Sequence, residues 1–170
     1  MTGTVYTMPP IPPDDEHTTW VDAGAIKIGV EYRLLDDAGL ADNYQGEQMD
    51  EIQAATGGKT VEDNGVSLHV SSSEDGHEYL RFDLFHQEPH YHYIEPTGSK
   101  QTIIDFDRAA LGPMLPWALN QIRTRLEEML TFAGGQALLP SLEPARIAAA
   151  LTEVEKLARE AEAMLERGST

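Results

Sequence analysis

Three of the chain's six histidines, His86, His90 and His92, fall within the stretch Phe85-His86-Gln87-Glu88-Pro89-His90-Tyr91-His92-Tyr93. Histidine titrates near neutrality and is the commonest metal ligand. His90 and His92 are two residues apart, so on a strand they share one face. Two imidazoles from one strand and a third from its neighbour make a three-histidine set with an open position. That is a catalytic zinc geometry, and the same donors suit iron, copper or nickel. The implied cofactor is a divalent transition metal. The competing reading is structural: Phe85, Tyr91 and Tyr93 are strong strand formers, and histidine serves among them as a polar aromatic bonded to a carboxylate or to backbone.

The elements that must position these residues are short strands. Val66, Leu68 and Val70 alternate with polar residues, as do Leu80, Phe82 and Leu84, and Glu74-Asp75-Gly76 joins the two runs as a hairpin. The expected register sets Val70 against Leu80, Leu68 against Phe82 and Val66 against Leu84, so that core meets core. A second hairpin turns at Gln87-Glu88-Pro89. It is expected to place His86 opposite His90, Leu84 opposite His92 and Arg81 opposite Glu95. A one-residue slip would send His86 to the other face. Residues 100–106 return as a strand with Glu95 against Lys100, Ile103 beside His92 and Asp105 beside His90. One face would then hold the candidate ligands His86, His90, His92 and Asp105. Asp105 would be a fourth ligand or would orient His90 through its second ring nitrogen. The opposite face would carry Phe85, Tyr91, Tyr93, Ile104 and Phe106, an aromatic stripe that needs cover from a helix or another subunit.

Around this centre the chain reads as α+β: an antiparallel meander of about five strands, near 25–35, 66–73, 78–86, 90–96 and 100–106. Two C-terminal amphipathic helices follow, near 114–133 and 144–166. Leu115, Leu119, Ile122, Leu126 and Met129 form one apolar stripe. Ile147, Leu151, Val154, Ala158, Ala161 and Leu165 form the other. A short helix is expected over 46–55, ahead of Gly57-Gly58. Residues 1–20, with Met8-Pro9-Pro10-Ile11-Pro12-Pro13 and Asp14-Asp15-Glu16, read as an extended, proline-rich acidic arm, either a loose tail or a strip lying along a partner. Residues 21–170 read as a single domain.

The net charge of −17 works against binding nucleic acid or anionic membranes. No apolar run approaches the roughly 20 residues that span a bilayer. No basic-then-apolar secretory signal opens the chain. The cysteine count of zero excludes disulfides, thiolate nucleophiles and cysteine-bound metal, and fits a cytoplasmic protein. No serine sits in a nucleophile elbow. Gly57-Gly58-Lys59-Thr60 ends like a phosphate-binding loop but lacks its upstream glycine. His69 and Arg81 are expected to face each other at the surface.

The segment Phe-Asp-Leu-Phe-His-Gln-Glu-Pro-His-Tyr-His-Tyr-Ile, with the stretch through Trp117 to Gly134-Gly135, resembles a bacterial domain family of unknown function. That resemblance implies no activity and no site roles. The sequence therefore points to a small acidic cytoplasmic accessory or binding protein, an oligomer or a non-catalytic subunit with a protein partner. The alternative is a metal-dependent enzyme built on the histidine cluster.

Overall fold

The structure, a computed structural model, describes residues 3–168. Positions 1–2 and 169–170 of the two expected units lie outside the described residues. The elements are β1 (Thr4–Tyr6), β2 (Thr18–Ala23), β3 (Ile26–Asp36), α1 (Asp37–Asn43), α2 (Glu47–Thr56), β4 (Glu62–Ser72), β5 (Glu78–Phe85), β6 (His90–Ile94) and β7 (Gln101–Asp105). These are followed by α3 (Arg108–Leu111), α4 (Met114–Thr124), α5 (Leu126–Phe132), a 3-10 turn (Gln136–Ser141) and α6 (Pro144–Gly168). Among the described residues, seven strands form one antiparallel sheet in the order β1-β7-β6-β5-β4-β3-β2. The meander and the C-terminal helices are as the periodicity implied, with β1 and β2 added at the two edges.

Alternation along each strand sends apolar side chains to one face. Ile26, Ile28, Val30, Val66, Leu68, Val70, Leu80, Phe82 and Leu84 lie there, all buried. They pack on the stripes of α4, α5 and α6, whose Leu119, Ile122, Leu130, Leu151 and Val154 are also buried. Tyr91 and Phe106 pack at a tilt against Trp117, with ring centroids 5.1 and 4.9 Å apart, and Tyr93 meets Phe132 at 4.6 Å. The chain's own helices thus cover the aromatic stripe. The single helix expected over 114–133 is broken at Arg125, where the backbone leaves the helical region. Thr124 hydrogen-bonds back to the Asn120 carbonyl, a habit that bends helices.

The other face carries the polar half of the alternation, and it too is buried: Glu31, Arg33, Ser67, His69, Ser71, Arg81, Asp83, His92 and Gln101. Its cover is the proline-rich segment. Because β1 pairs with β7 at one edge and β2 with β3 at the other, residues 7–17 must cross the whole width of the sheet. This strap is tied down by backbone groups that proline leaves free. Tyr44 donates to the Pro9 carbonyl (2.6 Å), Arg81 to the Ile11 carbonyl (2.7 Å), and the Asp14 amide donates to Glu31 (2.7 Å). Met8 of the strap joins Leu40 and Tyr44 in a small second core, with Ile11 and Ile52 packed alongside. In this structure the segment lies along its own sheet.

Two glycines allow close approach on that face. At Gly29 a Cβ would come within 2.8 Å of the Trp20 ring, which lies across the strand there. At Gly65 (φ +159°) a Cβ would come 2.4 Å from the Leu84 carbonyl.

Candidate functional site

The second hairpin decides the site. Its pairs are Leu80–Tyr93, Arg81–His92, Phe82–Tyr91 and Asp83–His90. His92 is therefore opposite Arg81 and not Leu84, an odd shift of three residues that exchanges the faces. The preferred sequence register is overturned. His86 points to the helix side, where its Nε2 is 3.6 Å from Glu162 of α6, while His90 and His92 point to the strap side. The three-histidine set does not exist. Phe85 also leaves the aromatic stripe and packs edge-on to His90, 5.5 Å between centroids. The expected Arg81–Glu95 pair gives way to Arg81–Glu78.

Two things drive this register. Phe82 and Leu80 meet Tyr91 and Tyr93 on the apolar face, a better match than leucine against histidine. The loop is also held open by Asp63, whose two carboxylate oxygens accept the amides of Gln87 (3.0 Å) and Glu88 (2.8 Å), and by His86, whose amide stays bonded to Asn64 of β4. The other registers follow the sequence reading. Val70–Leu80, Leu68–Phe82 and Val66–Leu84 pair in β4–β5, and His90–Asp105 and His92–Ile103 pair in β6–β7.

Asp83 takes the place expected for His86. Its Oδ2 lies 2.8 Å from His92 Nε2 and 3.1 Å from His90 Nε2, and its Oδ1 accepts the Ser67 hydroxyl. One ligand-type atom from each of Asp83, His90 and His92 lies within 4.8 Å of the others. Asp105 is beside His90 but outside this group, and it adds only a field that favours the charged ring. Burial disfavours charge on His90, but the Asp83 hydrogen bond and charge outweigh it and raise the His90 pKa. Burial wins at His92, whose pKa is lowered. Burial pushes Asp83 up, yet its two imidazole partners hold it well below the usual carboxylate range.

Beside this group, on the same face, runs a buried chain of charges. His69 is wholly buried between Glu78, which it touches through Nδ1, and Glu31, 2.8 Å from Nε2. Arg81 grips Glu78 with two bonds (2.9 and 2.6 Å), and Arg33 approaches Glu31 at 3.6 Å. Burial opposes the imidazolium, but the Glu78 charge and the bonds to both carboxylates raise the His69 pKa. His69 and Arg81 do face each other, as expected, but deep inside rather than at the surface. The strap supplies the burial that the sequence pattern could not show.

Between strap and sheet lies a cavity of about 210 Å³. Met8, Ile11, Leu40, Tyr44 and Ile52 form its roof, and Arg33, Arg81, Asp83, His90 and His92 its floor. A wider cleft shares Tyr6, Glu88, Ile103 and Asp105 with it and adds Glu62, Asp63 and Lys59, so the mouth is predominantly acidic. The sequence reading missed Asp83. The signal was available: Arg81, Asp83 and Phe85 alternate with the apolar residues of β5, and the four-residue loop 86–89 brings them to the side of His90 and His92.

The architecture is a helix-backed antiparallel sheet whose charged face is roofed by its own N-terminal strap. The chain belongs to the family described as "Domain of unknown function (DUF7700)", matched over residues 20–158. No curated protein and no solved structure matches it. Among the described residues, no helix is long and apolar enough to cross a membrane.

Proposed function

We propose that this is a small accessory or binding protein whose ligand occupies the cavity beneath the strap. The cavity is the observation that carries the reading. It opens to solvent at one side and leaves about 210 Å³ unfilled over a floor of buried charges. Liquid water takes up about 30 Å³ per molecule, so the space suits a small organic molecule. The roof is apolar and aromatic and the mouth acidic, which favours a neutral or cationic ligand over an anion. A non-catalytic role fits the side chains present: the Ser67 hydroxyl is fully buried and engaged by Asp83, and there is no cysteine. The lack of cysteine also fits a cytoplasmic setting, and the charge of −17 fits a partner that is neither nucleic acid nor an anionic membrane. Self-association is part of the reading, motivated now by exposed Val5, Leu111 and Phe132 rather than by the aromatic stripe.

The alternative, a metal-dependent enzyme, is favoured by one observation: Asp83, His90 and His92 converge on the floor of this same cavity, beside the space a substrate needs. It requires a bound metal, although a bound metal does not by itself make the protein an enzyme.

Three aromatic probes of like size and different charge test the cavity: phenol, benzylamine and benzoate, titrated into isotopically labelled, metal-free protein and followed by amide NMR shifts. Phenol or benzylamine should move the signals of Tyr44, Ile52, Phe85 and Ile103, with benzoate weakest. Absence of shifts at these residues for all three probes at millimolar concentration overturns the reading.

A further inference from the structure

We propose that Asp83 Oδ2, His90 Nε2 and His92 Nε2 together bind one divalent first-row transition metal ion. The proposal adds an ion at the cavity floor and does not depend on what occupies the space above it. What carries it is the direction of the hydrogen bonds around the two rings. His90 Nδ1 lies 2.7 Å from the Glu88 carbonyl, which only accepts, so Nδ1 carries the proton. His92 Nδ1 lies 2.7 Å from Gln101 Oε1.

In the structure the Gln101 amide turns its oxygen, which only accepts, toward this ring, so His92 Nδ1 also carries a proton.

Both rings then offer Nε2 to a carboxylate that is itself an acceptor. In neutral imidazoles these are two lone pairs facing an anionic oxygen. Protons satisfy the arrangement only if both rings are charged against a single carboxylate. One metal ion satisfies it with neutral rings: the protons between each Nε2 and Oδ2 leave to solvent, and the Nδ1–H groups keep their outer partners. Metal-bound histidines characteristically donate their second nitrogen in this way.

The donor set fits, and the three donor atoms lie within 4.8 Å of one another. Two imidazoles and a carboxylate, with further positions open to a cavity, suit zinc, iron(II) or nickel. Bonds of 2.0–2.2 Å place tetrahedral ligands about 3.4 Å apart. The observed 2.8 and 3.1 Å need opening by about half an ångström. His90, with 16% of its side chain exposed, gives the ion a way in.

The test is calorimetric titration of untagged, chelator-stripped protein with zinc, nickel and anaerobic iron(II). Uptake of one ion per chain is expected for at least one metal. His90→Ala, the most exposed ligand and so the least disruptive variant, should weaken it at least about 100-fold. His86→Ala should leave it unchanged and Asp105→Asn within about threefold. A second readout, the imidazole 15N spectrum, should show both rings protonated at Nδ1 and shifted at Nε2 when zinc is added. A flat trace with all three metals, or uptake indifferent to His90→Ala in a folded protein, overturns the proposal. Aromatic probes that still bind in that case leave the cavity reading standing. Zinc uptake without probe binding overturns the cavity and keeps the metal.

Discussion

His69 and the His90–His92 pair lie on the same buried face of one sheet, yet their surroundings differ in stoichiometry. His69 is one imidazole between two carboxylates, each on its own nitrogen. His90 and His92 are two imidazoles on one carboxylate, each with its second nitrogen against a neutral oxygen. In the first case a proton on each nitrogen satisfies every group, and the two carboxylates lie on opposite sides of the ring, so they cannot meet at one ion. In the second case the donors converge and the protons do not suffice. Burial alone does not mark a functional histidine. The ratio of rings to carboxylates and the direction in which their lone pairs point do.

The largest effect expected from breaking the comparison is at the His69 cluster. Glu78→Ala removes the partner of both His69 and Arg81 and leaves buried charge uncompensated, which typically costs about 3–5 kcal/mol. Urea unfolding should show this. His90→Ala, at the edge of a cavity with solvent nearby, should cost about 1 kcal/mol in the metal-free protein. Equal losses would erase the distinction between the two regions.

The pH dependence should separate them next. Glu78 titrates well below its ordinary 4.5, so its contribution is present above that pH and fades as pH falls beneath it. His69 titrates above its ordinary 6.5, so its contribution is complete below 6.5 and is lost as pH rises through the raised value. The groups facing this ring are Glu31 from β3 and Glu78 and Arg81 from β5. Unfolding free energy measured from pH 4 to 9 should decline on the alkaline side in the wild type, and His69→Gln should flatten that decline. An unchanged alkaline limb in His69→Gln would show that His69 is neutral in the folded protein.

A smaller effect should come from the strap. Tyr44→Phe deletes the hydrogen bond to Pro9 and should cost about 1 kcal/mol, read by urea unfolding. The imidazole 15N signals of His69 should stay as they were. The smallest expectation concerns assembly. Light scattering at micromolar concentration should give a mass above that of one chain, and a monomer mass would remove self-association from the reading.

Much of the fold was legible in local pattern. Two-residue alternation marked β3 to β7, and the spacing of Leu115 to Met129 and of Ile147 to Leu165 marked the helices, because a side chain's direction repeats with the backbone that carries it. Residue matching across short turns was enough for the registers of β4–β5 and β6–β7. The family is one of unknown function, as the resemblance implied, and the match over residues 20–158 is broader than the segments that suggested it.

The register of the site hairpin was not local. It depends on Asp63 holding the loop from another strand and on Trp117 and Phe132 receiving Tyr91 and Tyr93 from the helix layer. An odd shift there exchanged His86 for Asp83. Nor could composition show that the polar side of the alternation is an interior. The sequence determined that His90 and His92 share a face, because a strand's period of two allows nothing else, and residue matching across the β6–β7 turn set Asp105 beside His90. Only the tertiary structure decided that this face is roofed by residues 7–17. Burial of charge is set by what crosses above it, and the crossing is imposed by the pairing of β1 and β2 at opposite edges of the sheet.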